Sequence, residues 1–231
     1  NLILNCIAER VADGNILRII REFLSAGVME GLQFHPTTSG TPQGGVISPL
    51  LANIVLDRLD HHLTQSGLRF VRYADDFVVL CRSHSRAKQA LTFVDTFLRV
   101  ELGLSLSPNK TKVVSFLKGF DFLGFHVSKR RISIRDNSIE KLKARVRLLT
   151  TRSHNLCADV FRELNRVFIG YAHYFAAPFA SVADQFRLLD HWVRARIRSM
   201  KFKGISRGYN RRWSNKLIAR LGLVSLSGFL T

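Results

Sequence analysis

Two adjacent carboxylates, Asp75 and Asp76, sit between apolar runs, Phe70-Val71 before them and Phe77-Val78-Val79-Leu80 after them. Carboxylate oxygens suit Mg²⁺, a hard cation. Two such ions, held about 3.5–4 Å apart, can stabilise the attacking and leaving oxygens of a phosphoryl transfer. On its own an Asp-Asp pair is more often a solvated turn, because Asp is common in turns. Here the flanking runs predict two strands, 69–74 and 77–81, with the acids at the turn between them. Successive strand residues point to opposite faces, so a tight turn is what can bring the carboxylates to one concavity. About thirty residues upstream lies Gly40-Thr41-Pro42-Gln43-Gly44-Gly45, where bare backbone can approach a nucleotide or a nucleic-acid strand.

The surrounding pattern shows what positions these groups. Helices are expected over 1–12, 15–26, 48–65 and 85–102, with caps at Asn15, Ser48 and Ser85, and Pro49 in a first turn. The third carries Leu51, Val55, Leu59 and Leu63 in one stripe. Short strands are expected at 28–34, 104–106, 112–116, 120–127 and 131–134. Helices mixed with antiparallel strands argue α+β. Beyond Arg135 the pattern is helical. Asn137 with Glu140 resembles a capping box, Ile139, Leu142, Val146 and Leu149 share one face, and Phe186, Leu189, Val193, Ile197 and Met200 share another. No internal repeat or low-complexity segment interrupts the chain.

Charge changes at the same place. Residues 1–128 hold 13 basic and 11 acidic residues, a net of +2, whereas 129–231 hold 22 and 6, a net of +16. The domain boundary is therefore placed between 128 and 129. A basic field of that size faces a polyanion, nucleic acid first, and the apolar runs are too short for a membrane span. Cys6, Cys81 and Cys157 are far apart and odd in number, which predicts reduced, mostly packed thiols rather than a zinc site. The start at Asn1-Leu2-Ile3-Leu4 has no signal-peptide pattern, so a cytoplasmic (bacterial) or organellar, non-secreted protein is expected, with a chain entered midway.

Phe70-Val71-Arg72-Tyr73-Ala74-Asp75-Asp76 resembles the Tyr-x-Asp-Asp motif of reverse transcriptases. The run Gly40 to Asn53 resembles the preceding motif in the form used by group II intron-encoded proteins. Gly103-Leu104-Ser105-Leu106-Ser107-Pro108-Asn109-Lys110-Thr111 is similar to the next, and Phe120-Asp121-Phe122-Leu123-Gly124-Phe125 to the one that supports the primer strand. The segment 164–175, with Phe186 to Arg194 and Leu221 to Val224, resembles the maturase segment, domain X or thumb, of the same proteins. Arg166 stands where the family often has Pro, and Tyr171 where Trp is common.

The resemblance implies a partial reverse-transcriptase palm, an antiparallel sheet with helices, followed by a helical thumb. It makes Asp75 and Asp76 ligands of two catalytic Mg²⁺ ions, Asp75 the more directly. It puts Pro42, Gln43, Gly44, Tyr73 and Ala74 near the incoming nucleotide and template, and Phe122, Leu123 and Gly124 against the primer end. Lys110 becomes a candidate to protonate the leaving pyrophosphate, and equally a solvated turn lysine. Lys141, Arg145, Arg194, Arg196, Arg198, Lys201 and Lys203 are the expected RNA contacts. The implied partners are group II intron RNA, an RNA template with a DNA primer, and dNTP, with no membrane.

The family also uses a third carboxylate on an earlier strand, and no Asp or Glu before Asp75 has a matching context. The expectation is that this polypeptide alone does not extend a primer. Two functions compete within the resemblance: an RNA-directed DNA polymerase, and an RNA-binding splicing maturase without chemistry of its own. A remnant of a decayed intron protein is a third reading, against which the intact Asp75-Asp76 pair argues.

Overall fold

The computed structural model describes residues 2–25, 46–206 and 208–230, and the backbone of two short strands at 28–30 and 33–35. The chain divides into two compact units, Asn1–Val113 and Val114–Thr231.

The first unit is built on α3 (Ser48–Gln65) and α4 (His84–Glu101), preceded by α1 (Leu2–Ala8), α2 (Gly14–Ser25) and the antiparallel pair β1 (Val28–Glu30) and β2 (Gln33–His35). Leu51, Val55, Leu59 and Leu63 are all buried, so the stripe on α3 is its core face. Val55, Leu59 and Leu63 form one cluster with Cys6 from α1 and Val94, Leu98 and Leu102 from α4 and its end. A two-stranded antiparallel hairpin, β3 (Arg69–Tyr73) and β4 (Asp76–Leu80), lays Phe70, Phe77 and Val79 against that cluster. Two strands alone are marginal in water, and this packing is what fixes them.

The second unit pairs a three-stranded antiparallel sheet, β5 (Phe120–Phe122), β6 (Phe125–Val127) and β7 (Ile132–Ile134), with helices α5 (Asp136–Leu149), α6 (Ala158–Phe175) and α7 (Ala183–Phe202). Phe125 and Ile134 share one core with Leu142, Val146, Leu164, Phe168, Phe186, Val193 and Ile197. The Gln185 side chain completes β7, donating to the Ile134 carbonyl (2.8 Å) and accepting from its N–H (2.9 Å). Short α8 (Tyr209–Arg212), α9 (Asn215–Arg220) and a 3-10 turn (Leu226–Phe229) close the unit. The buried Asp190 carboxylate accepts from the N–H groups of Leu226 and Ser227 and from both serine hydroxyls, Ser225 and Ser227.

The compact division falls at 113/114, with β5–β7 packed into the helical core through Phe125 and Ile134. Several local expectations are corrected. Residues 104–106 and 112–116 form no strand, and 120–127 is two strands with a turn at Leu123-Gly124. Asp13 rather than Asn15 caps α2, accepting from the N–H groups of Asn15 and Ile16, and Ser83 rather than Ser85 caps α4. The Asn137/Glu140 capping box does not form; Glu140 instead pairs with Lys143 and Arg147. Of the three thiols only Cys6 is buried, and Cys157 is exposed.

Candidate active site and RNA-binding surface

The hairpin register places Tyr73 opposite Asp76, so the two-residue turn is Ala74-Asp75, one residue earlier than the sequence suggested. Ala74 takes φ 54°, a left-handed conformation that costs a residue with a Cβ about 1–2 kcal/mol. A turn with positive φ at its first central residue matches the right-handed twist of the flanking strands. Strand alternation then puts Asp76 on the outer face, with Val78 and Leu80, away from the core-facing Phe77. Asp75 and Asp76 are both exposed, as is Tyr73.

The turn is held from behind by Arg72. Its guanidinium makes a bidentate contact to Asp60 on α3, with Nε at 2.8 Å from one oxygen and Nη2 at 2.5 Å from the other. Nη1 donates to the Asn53 side chain (2.8 Å) and to the Ala74 carbonyl (2.9 Å). The Asp60 carboxylate raises the pKa of Arg72, against a smaller opposing effect of burial. One residue thus ties the strained turn to a core helix. Neither Arg72 nor Asp60 stood out in the sequence, since a strand arginine and a helix aspartate look like surface charges.

This arrangement decides what the acids can do. The charge of Arg72 is engaged by Asp60, and among the described residues neither the Asp75 nor the Asp76 carboxylate has an ion-pair or hydrogen-bond partner. Their oxygens are therefore available, and a hard cation fits them. Among the described residues no group of three or more His, Cys, Asp or Glu side chains could hold a metal. Lys110 is exposed in a turn, with its backbone N–H donating to the Ser107 carbonyl (3.2 Å), and no ion pair joins it to the carboxylates. Pro42, Gln43 and Gly44 lie outside the described residues.

In the second unit, Phe122 pairs with Phe125 across the Leu123-Gly124 turn, and both turn residues have positive φ, 47° and 79°. That is the geometry of a type I′ hairpin turn, for which Gly is suited and Leu is not. Leu123 is clamped by Tyr174 on α6, whose hydroxyl donates to its carbonyl (2.9 Å). The Gly124 carbonyl accepts from the Ser138 hydroxyl (3.2 Å) and the Arg135 N–H (3.1 Å). A Cβ on Gly124 would sit 3.2 Å from Phe175 Cζ.

The basic residues divide into two kinds. Lys141, Arg145 and Lys201 are exposed. Lys201 lies over the Trp213 ring, and Lys203 donates to the His154 carbonyl. Arg194 is half-buried. Arg196 is half-buried too, its Nε and Nη2 donating to the hydroxyl and carbonyl of Thr150. Arg198 departs from the expectation of a solvent-facing contact. It is 5% exposed, donating from Nε to the Trp213 carbonyl and from Nη2 to Asn215. Residues 213–215 fold over it, which helical spacing within α7 could not reveal.

Residues 3–127 match the model of the reverse transcriptase (RNA-dependent DNA polymerase) family, and residues 139–217 match the group II intron maturase-specific domain. The chain belongs to the reverse transcriptase family, in the group II intron-encoded branch that carries a maturase domain. It is 44% identical over 70 residues to the group II intron-encoded protein LtrA of Lactococcus lactis, covering 30% of this chain and 12% of that protein. It is 27% identical over 185 aligned positions to the putative COX1/OXI3 intron 2 protein of Saccharomyces cerevisiae, covering 55% of this chain and 22% of that protein. It is also 27% identical over 164 positions to the protein YkfC of Escherichia coli, covering 56% and 43%. The chain thus spans less than half the length of these relatives. The family matches divide between 127 and 139, after β6, while compactness divides the chain before β5. No described helix is long and apolar enough to cross a membrane.

Proposed function

We propose that this chain supplies metal-binding palm residues and an RNA-gripping thumb to a group II intron-encoded RNA-directed DNA polymerase and maturase. In this reading residues 1–128 are palm and 129–231 are domain X. The observation that carries it is the hairpin tip: two exposed carboxylates without counter-ions, on a turn anchored to a core helix through Arg72. Mg²⁺ held by Asp75 and Asp76 would supply charge stabilisation at the oxygens of a phosphoryl transfer.

The chain's own residues do the positioning. Arg72 holds the tip still, because Asp60 and Asn53 fix its own guanidinium. Tyr73, opposite Asp76 on the outer face, borders the primer, and Ala74 with Pro42, Gln43 and Gly44 borders the dNTP and template. Lys110 is free to approach a leaving pyrophosphate and give it a proton. The clamped turn at Leu123-Gly124, with Phe122, supports the primer end. Lys141, Arg145, Arg194, Arg196, Lys201 and Lys203 meet phosphates of intron RNA, while Arg198 acts from within the fold. The working compartment is the one that makes the intron RNA, bacterial cytoplasm or an organelle.

A second reading, a splicing maturase that binds intron RNA without polymerising, is favoured by the +16 net charge of residues 129–231. Asp75→Asn combined with Asp76→Asn separates the two. In a polymerase-active protein carrying this chain, primer extension on an RNA template should fall by more than 100-fold, on the order of several kcal/mol of lost transition-state stabilisation. Intron-RNA affinity and splicing should be retained. Extension at the wild-type rate overturns the polymerase assignment of these residues.

A further inference from the structure

The second unit contains a concavity of about 270 Å³ on the outer side of α7, bordered by Arg152, by Gly204, Ile205 and Ser206, and by Tyr209 and Asn210 of α8. Arg152, Trp192, Arg196, Arg198, Tyr209 and Asn210 line it. Three arginines line one small space, and among the described residues no carboxylate lines it and no ion pair involves any of them.

Each guanidinium is fixed by neutral oxygens. Arg152 Nε donates to the Ser199 hydroxyl (2.8 Å), Arg196 to Thr150, and Arg198 to the Trp213 carbonyl and Asn215. None of these bonds neutralises charge, and each leaves at least one terminal nitrogen without a protein acceptor among the described residues. Burial, then the charges of Arg152 and Arg147, lower the pKa of Arg196. Burial, then Arg194, does the same to Arg198. Such uncompensated positive charge is costly to assemble, and an anion is its natural complement. Arg152, oriented by its Nε bond alone, keeps both terminal nitrogens ready for a phosphate, and Arg196 keeps Nη1.

The volume narrows the ligand. At about 270 Å³ the concavity falls just under the ~300 Å³ lower end of ordinary small-molecule sites. That is room for one phosphate and part of its nucleoside, not for a duplex. Trp192 and Tyr209 give the walls aromatic surface, which suits an unstacked nucleotide rather than a bare ion.

We propose that this concavity holds a single phosphodiester of a looped or bulged RNA strand, gripped by Arg152 and Arg196, with its nucleoside against Trp192 and Tyr209. The proposal rests on the RNA-binding reading of this unit and deepens it from a diffuse basic surface to a built site. It also gives the half-buried Arg196 a role in recognition beside the exposed basic residues.

The test uses the full chain, a single-stranded RNA oligonucleotide and a blunt RNA duplex, with affinity measured against salt. Arg152→Gln combined with Arg196→Gln should weaken oligonucleotide binding about tenfold and reduce the log–log salt slope by about 0.7, the loss of one phosphate contact. Ala195→Phe is the decisive variant. Ala195 is exposed and lines the concavity, so a phenyl ring there fills it without changing charge or removing a hydrogen bond. It should reproduce the same loss, and leave duplex binding within about twofold.

If Ala195→Phe binds the oligonucleotide as the wild type does, the site is not a site, even where the arginine variant weakens binding through its charge. A nucleoside monophosphate that binds as tightly as the oligonucleotide would assign the pocket to a free nucleotide and overturn the strand assignment. Lys141→Gln with Arg145→Gln, on exposed α5, separates the two levels. A loss there, with no effect of Ala195→Phe, sinks the pocket and leaves the RNA-binding reading standing. A wild-type chain that binds neither RNA sinks both.

Discussion

Removing the Arg72–Asp60 pair is the sharpest perturbation of the hairpin tip. The Arg72 side chain is 12% exposed and that of Asp60 26%, so the pair is mostly but not fully desolvated. Arg72→Met keeps the stem and deletes five hydrogen bonds, three to Asp60, one to Asn53 and one to the Ala74 carbonyl. Hydrogen bonds to charged groups contribute about 1.5–3 kcal/mol each, but the five share one guanidinium and are not additive. A fully buried pair broken on one side costs about 3–5 kcal/mol, and partial exposure brings the expectation down to about 2–3 kcal/mol.

Asp60→Asn keeps an acceptor and loses the charge, for about 1–2 kcal/mol. The readout is chemical denaturation of the first unit, followed by a hairpin or α3 probe, as a double-mutant cycle. The coupling between the two changes should be about 1–2 kcal/mol. A coupling below about 0.3 kcal/mol would refute the claim that this contact anchors the tip. Ala74→Gly provides the companion test, because it relieves the positive φ of Ala74 and should stabilise the unit by about 0.5–1 kcal/mol, whereas Ala74→Val should destabilise it.

Other consequences follow from the second unit. Gly124→Ala places a Cβ 3.2 Å from Phe175 at φ 79°, and should cost about 1–2 kcal/mol in a denaturant melt. Tyr174→Phe removes the bond to the Leu123 carbonyl and should cost about 1 kcal/mol by the same assay. The buried Tyr171 hydroxyl has no hydrogen-bond partner among the described residues, so Tyr171→Phe should stabilise the unit by about 1 kcal/mol or more. Burial also pushes the Tyr171 phenol up. With the folded pKa above the unfolded one, its share of stability is full below about pH 10 and is lost as pH rises through the folded value. The gap between wild type and Tyr171→Phe should therefore widen in alkali, as followed by thermal melts across that range.

What the sequence made legible was the periodic part. The stripes Leu51–Val55–Leu59–Leu63 and Phe186–Leu189–Val193–Ile197–Met200 are buried throughout, because a helix shows its core face at fixed spacing. The hairpin was legible as well, since apolar runs flank a polar pair. Its register was not. Alternation fits a turn at Asp75-Asp76 as well as one at Ala74-Asp75, and only the positive φ of Ala74 separates them.

The turn at Leu123-Gly124 was hidden inside the apolar run 120–127. Leu adopts its unfavourable conformation there because Tyr174, some fifty residues later in the chain, holds its carbonyl. Arg72 and Arg198 escaped for one reason. A charged residue that anchors a fold looks in sequence like one that faces water, and only the partners tell them apart: Asp60 and Asn53 for the first, Trp213 and Asn215 for the second. The same blindness covered the pocket beside α7, whose walls come from segments about forty and ten residues away from each other along the chain.

The central claim is that Asp75 and Asp76 form a metal-binding tip, and it can be measured without any enzymatic turnover. Mn²⁺, a paramagnetic substitute with the same preference for carboxylate oxygens, can be titrated into the isotopically labelled chain while backbone resonances are followed. The account predicts that amide signals of residues 73–77 broaden first and together, and that Asp75→Asn with Asp76→Asn abolishes this while the signals of α3 stay in place. Broadening that begins elsewhere, or that survives the double substitution, would contradict it.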